Sequence, residues 1–182
     1  MTRPSSIRSM ALCALCAALM AICAWISIPF FDIAFTMQTF AIFLALGLLG
    51  GKLGSAACLV YLLLGAVGLP VFSGFQGGFG ILLGVTGGYL WGFLIAALVY
   101  WAITAIFRKS AGITAMPVSL LVCYICGTGW FLHVYAGSSP MGLGAVLLKC
   151  VVPYLLPDGA KLWLALVLSR RLRSVINRPP GT

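Results

Sequence analysis

Residues 88–107 read GYLWGFLIAALVYWAITAIF, twenty consecutive positions without a charge. A helix of about 20 apolar residues is what crosses the ~30 Å hydrocarbon core of a bilayer. Working outward from it, five more apolar segments can be drawn, giving a set at 7–28, 36–49, 53–67, 88–107, 117–135 and 157–172. Hydrophobic residues make up 63% of the 182 positions and charged ones 7%, whereas soluble domains carry roughly 25% charged residues. The mean hydropathy of +1.16 agrees. The expectation is an all-α integral membrane protein, a single domain over 1–182 with six transmembrane helices and no soluble enzyme module. The second, third and last segments are shorter than an upright span requires.

The net charge of +9 raises the question of a nucleic-acid partner, and the positions of the bases answer it. Alternating the gaps between segments puts Arg3, Arg8, Lys52, Arg108, Lys109, Arg170, Arg171, Arg173 and Arg178 on one side, nine of the eleven bases. By the positive-inside rule that side is cytoplasmic, with both termini. The basic excess is a topology signal, no nucleic acid is expected, and the lipid bilayer is the surrounding partner. Lys149 and Lys161 fall on the external half. The first segment superficially resembles a signal peptide, but it lacks a small-residue cleavage site and reads as a retained helix.

Between Gly68 and Gly88 the chain reads GLPVFSGFQGGFGILLGVTGG, with eight glycines and no charge. That density opposes a stable helix, yet the stretch is too apolar for a solvated loop. It is expected to fold back as an external loop between helices 3 and 4 and to cover a cavity. Within it Gln76 offers donors and an acceptor, with Thr86 and Ser73 as lesser polar groups. A surface glutamine on a glycine-rich connector is the plain alternative. Gly51-Lys52 is followed by leucine, so there is no P-loop, and any ATP-driven step needs another subunit.

Seven cysteines include the pairs Cys13/Cys16 and Cys123/Cys126, a spacing known from zinc and redox sites. Both pairs lie in apolar segments without nearby histidine or carboxylate, so buried free thiols are expected, with no metal and no cofactor. His133 with Ser119, Ser138 or Ser139 could compose a membrane hydrolase, but no nucleophile motif and no orienting third group accompany them. No enzyme activity is expected. On the first segment the alanines at 14 and 18, or at 17 and 21, make a small-residue face that permits close helix approach, within the chain or with a partner.

Asp158 is one of only two acidic residues, and it stands three before Lys161 in Leu156-Pro157-Asp158-Gly159-Ala160-Lys161. After Pro157 it could cap the last helix, with Lys161 pairing to it on one face. A serine would cap as well without bringing a charge toward apolar surroundings, so a ligand role is weighted above capping alone.

These residues carry a resemblance. Thr36-Met37-Gln38-Thr39-Phe40, Gly50-Gly51-Lys52-Leu53-Gly54, Gly68-Leu69-Pro70-Val71-Phe72 through Gly77-Gly78, Thr86-Gly87-Gly88-Tyr89 and Leu156 to Lys161, in that order and spacing, resemble the BioY family. These are the biotin-specific S components of energy-coupling-factor (ECF) vitamin transporters. The resemblance implies six helices in a bacterial inner membrane and an externally open pocket for biotin. It also implies a partner complex of one transmembrane coupling subunit and two ATPases, with the coupling subunit meeting Ala14 and Ala18. Biotin presents a ureido group, an apolar thioether ring and a carboxylate tail. The resemblance points to Asp158 for the ureido N–H groups, Gln76 for ureido polar contacts, and Lys161 for the tail carboxylate or for orienting Asp158. Tyr89 would serve as wall and hydrogen-bond partner, with Gly77, Gly78 and Thr86 around the ligand. Similar proteins include members with asparagine at the position of Gln76, and members with arginine where this chain has Leu90, which removes a possible carboxylate partner. The rival expectations are a solitary, proton-coupled biotin carrier and an S component for another vitamin.

Overall fold

The computed structural model describes residues 6–30, 33–107, 112–135 and 142–176. Arg3, Arg108, Lys109, Ser138, Ser139 and Arg178, invoked above, lie outside the described residues. The described residues are mainly helical, with one two-stranded hairpin among them, in the order α1 (Ser6–Trp25), β1 (Ser27–Phe30), β2 (Ile33–Thr36), α2 (Gln38–Leu49), α3 (Gly51–Ala66), a 3-10 turn (Ser73–Phe75), α4 (Phe79–Leu83), α5 (Gly87–Ile106), α6 (Gly112–Tyr135), α7 (Leu143–Cys150) and α8 (Val152–Ile176).

Among the described residues, four stretches are long and apolar enough to cross a membrane: Ile7–Trp25, Gly87–Ile106, Gly112–Val134 and Gly144–Ser174. The last of these takes in α7 and α8 together. Helices α2 and α3 are apolar but shorter. Helix α2 is the centre of the bundle. It packs against α1, α3, α5 and α8, and every residue from Gln38 to Gly47 except Phe40 is buried. A helix covered on all sides carries no polar face, which explains its featureless hydrophobic run. At its end Gly50 takes φ +80, a left-handed turn that reverses the chain directly into α3.

Three boundaries differ from the sequence reading. The first helix stops at Trp25 rather than near 28, because Ser27–Phe30 pair antiparallel with Ile33–Thr36. Helix α6 begins at Gly112 and holds Pro117 inside it, and α8 begins at Val152 and holds Pro157 inside it. A proline this near a helix start removes a single ladder bond, and the preceding residues keep helical form. Asp158 is therefore in the second turn of α8, which overturns the capping alternative. The short helix α7 is an element that the segment reading did not contain.

The glycine-rich stretch forms the 3-10 turn, α4 and tight turns, which pack on the ends of α1 and α3. Phe72 is 1% exposed, and its ring lies where a Cβ on Gly65 of α3 would be. Helix direction then sorts the bases. Trp25 at the end of α1 donates to the Pro70 carbonyl of the lid (2.8 Å), so Arg8 is at the opposite end of the bundle. Lys52, Arg170 and Arg173 border a second cavity at that far end, between the α2–α3 turn and the ends of α5 and α8.

Candidate functional site

Asp158 and Lys161 are one helical turn apart on the inner face of α8 and are 5% and 6% exposed. Lys161 Nζ lies 2.8 Å from Asp158 Oδ1. The other carboxylate oxygen accepts from Tyr124 on α6, whose hydroxyl is 2.6 Å from Oδ2. Lys161 also donates to the Thr36 carbonyl at 2.7 Å and sits 3.6 Å above the Phe35 ring. The end of β2 thus supplies a carbonyl and an aromatic face to an ammonium that arrives from the last helix. Removing either charge would strand the other in apolar surroundings, and that mutual dependence is why the pair survives burial.

A second chain of hydrogen bonds ties the same strand to the lid. Thr36 Oγ1 donates to Gln38 Oε1 (3.0 Å), Gln38 Nε2 to the Tyr61 hydroxyl (2.6 Å), and that hydroxyl to the Val71 carbonyl (3.1 Å). The lid is held further by the Trp25 contact to Pro70, by stacking of Trp25 on Phe75 (5.0 Å between centroids) and by the edge of Phe72 against Tyr61. Hairpin, α2, α3 and lid form one connected roof.

Beneath that roof is a cavity of about 520 Å³, within the range typical of small-molecule sites. Asp158, Lys161, Gln76, Thr86 and Tyr89 all line it, as does Leu90, with apolar wall from Phe93, Ile81 and Leu120. Among the described residues, Asp158 and Lys161 are the only charged ones that border it. The Tyr89 hydroxyl donates to the Cys150 carbonyl (3.3 Å), which fixes its ring as wall. Gln76 is an exposed residue that nonetheless borders the cavity, which puts it at the mouth. Gly77 and Gly78 do not border it. Gly77 packs on the Leu69 carbonyl, and Gly78 N–H donates to Gly65 O at 2.7 Å, so both shape the lid.

Away from the cavity, the two alanine pairs on α1 separate cleanly. Ala17 and Ala21 are buried against the bundle, whereas Ala14 and Ala18 are exposed on the outer face with Ile7, Met10 and Ile22. His133 is exposed near the end of α6, beside Trp130 at 6.5 Å between rings, and Ser119 is buried elsewhere on that helix. The seven cysteines are free. Lys149 is half-buried on α7 and does not border the cavity.

Sequence reasoning missed Tyr124, Gln38, Phe35 and the Thr36 carbonyl. Tyr124 had a legible signal, since a tyrosine within an apolar helix needs a partner for its hydroxyl. The carbonyl and the Phe35 ring had none, because their roles depend on where the hairpin folds.

An apolar helical bundle with a roofed cavity at the end opposite Arg8, Lys52, Arg170 and Arg173 has the architecture of a membrane protein. The BioY family pattern matches residues 1–178, and this chain belongs to that family. It is 36% identical over 162 residues to the biotin transporter BioY of Thermotoga maritima, covering 87% of this chain and 91% of that one. It is 34% identical over 166 residues to a probable biotin transporter BioY of Pyrococcus horikoshii, covering 91% and 96%. Its fold matches the crystal structure of the S-component for biotin from an ECF-type ABC transporter, with a TM-score of 0.81 and 25% identity over 96% of this chain and 95% of that one. These relatives are transporters, not enzymes, and the chain is a multi-pass membrane protein.

Proposed function

We propose that this chain is a biotin-binding S component, which captures biotin from outside the cell in the lidded cavity and passes it inward with an ECF coupling subunit and two ATPases. The observation that carries the reading is the buried Asp158–Lys161 pair, joined by Tyr124, on the wall of a cavity bordered otherwise, among the described residues, by neutral groups. Family membership supplies the ligand class. The ureido group has two N–H donors and one carbonyl, so its recognition calls for an acceptor beside a donor, held rigid in an apolar setting. Asp158 is that acceptor. Each of its oxygens receives one protein hydrogen bond, from Lys161 and from Tyr124, and keeps acceptor capacity for the ligand. Gln76 and Thr86 supply further polar contacts, Tyr89 walls the ring, and Gly77 and Gly78 shape the lid.

The single domain spans six times, with α1, α2, α3, α5, α6 and α8 crossing a bacterial inner membrane and both termini in the cytoplasm. The described bases Arg8, Lys52, Arg170, Arg171 and Arg173 at one end support that orientation, as does the cavity at the other. Ala14 and Ala18 face lipid, where a coupling subunit can approach closely.

Asp158→Asn tests the site. Loss of a charged acceptor is expected to cost ~1.5–3 kcal/mol of biotin binding, roughly tenfold to a hundredfold in Kd. Calorimetry on purified wild type and variant, with matched melting curves, reads the change. Unchanged affinity in a folded variant contradicts the assignment.

A further inference from the structure

We infer that the cavity makes no ionic contact with the carboxylate tail of its ligand, so the protein takes tail-amidated biotin as well as free biotin. This rests on the biotin reading above and narrows it to a ligand class, the biotin head group with a charged or uncharged tail.

Charge at the site decides the matter. Among the described residues, the two charged ones on the wall are Asp158 and Lys161, whose charges cancel. The ammonium of Lys161 has three protons. It already donates to Asp158 Oδ1 at 2.8 Å and to the Thr36 carbonyl at 2.7 Å, and lies 3.6 Å over the Phe35 ring. Drawing it toward a ligand carboxylate would break both of its contacts to β2, the Thr36 carbonyl and the Phe35 ring, and leave Asp158 with less than its full complement. No other described residue replaces it. Position 90, on the wall, is Leu90 at 5% exposure, Lys149 does not border the cavity, and Lys52, Arg170 and Arg173 border the one at the opposite end.

An ionised carboxylate drawn into apolar surroundings without a cation loses several kcal/mol. The tail's charge therefore stays at the mouth, where Gln76 is exposed and Ser73 lines the opening with a neutral hydroxyl. A group that remains hydrated in the free and the bound ligand contributes little to the difference between them. Exchanging its charged oxygen for an amide nitrogen changes little, because an amide donates and accepts beside Gln76 as readily as a carboxylate accepts.

The test is equilibrium binding of biotin and of biotinamide to the purified wild-type chain, at low and at high sodium chloride. The expected result is two Kd values within about threefold of each other, a ratio that salt does not move, since no ion pair is made to be screened. Biotinamide binding tenfold or more weakly than biotin overturns the inference while leaving the biotin reading intact. Binding of neither ligand overturns both. Leu90→Arg adds the missing cation. That variant is expected to favour biotin over biotinamide by about tenfold, as a charge-assisted contact would. A folded Leu90→Arg chain that still binds both equally contradicts the placement of the tail.

Discussion

Asp158 is satisfied inside an apolar bundle because its neighbours come from separate parts of the chain. Lys161 is one turn along the same helix, Tyr124 arrives from α6, and Lys161 is itself held by Thr36 and Phe35 of the hairpin. Substitutions at this cluster are expected to rank by the charge they strand. Lys161→Met leaves a buried carboxylate without its counter-ion, a loss of about 3–5 kcal/mol. Tyr124→Phe removes one donor to that carboxylate and costs about 1–3 kcal/mol. Melting temperatures in detergent, with and without biotin, check the order, and a Tyr124→Phe chain less stable than Lys161→Met contradicts it. At this scale the sequence was informative where a residue was out of place. A lone acid followed by a lysine in apolar sequence could be read directly. The backbone carbonyl that completes the ammonium's coordination has no sequence signature, and Leu90 has meaning only against the absence of other cations around the cavity.

On the proposed function, the lid is the element on which ligand retention would depend. Phe72 fills the space left by the missing side chain of Gly65, and Val71 is bonded to Tyr61. Gly65→Leu would push the Phe72 ring out of its seat and free the lid without touching the charged pair. The expected outcome is faster biotin release with a smaller change in association, since perturbing a preformed site acts mainly on the off-rate. Stopped-flow displacement reads it, and an unchanged off-rate in a folded variant contradicts a closing role. On α1, Ala14→Leu alters an exposed face remote from the cavity. Biotin binding by the isolated chain is expected to persist while uptake with the coupling subunit and ATPases falls several-fold, because a bulky side chain bars close helix approach. Loss of binding would contradict the separation of the two surfaces. The glycine density made the lid legible, but not its anchoring by Phe72 and Trp25, which needs α1 and α3 in place. Prolines misled at two helix starts. Pro117 and Pro157 read as boundaries because an interior proline loses a ladder bond, yet each is close enough to its helix start for the chain to tolerate the loss.

Over the whole molecule, composition established a membrane protein at once, and the segregation of basic residues is the ground for its proposed orientation. Arg8, Lys52, Arg170 and Arg173 lie at the end opposite the lidded cavity. The count of crossing helices was harder to read because α2, at the centre, is too short to span upright and is shielded by its neighbours rather than by lipid. The central claim is that this chain by itself forms a complete biotin site. Titrating the purified wild-type protein with biotin, desthiobiotin, riboflavin, thiamine and folate tests it most directly. The account predicts saturable binding of biotin at one molecule per chain and no comparable binding of riboflavin, thiamine or folate. Failure to bind biotin, or tighter binding of one of those three vitamins, would contradict it.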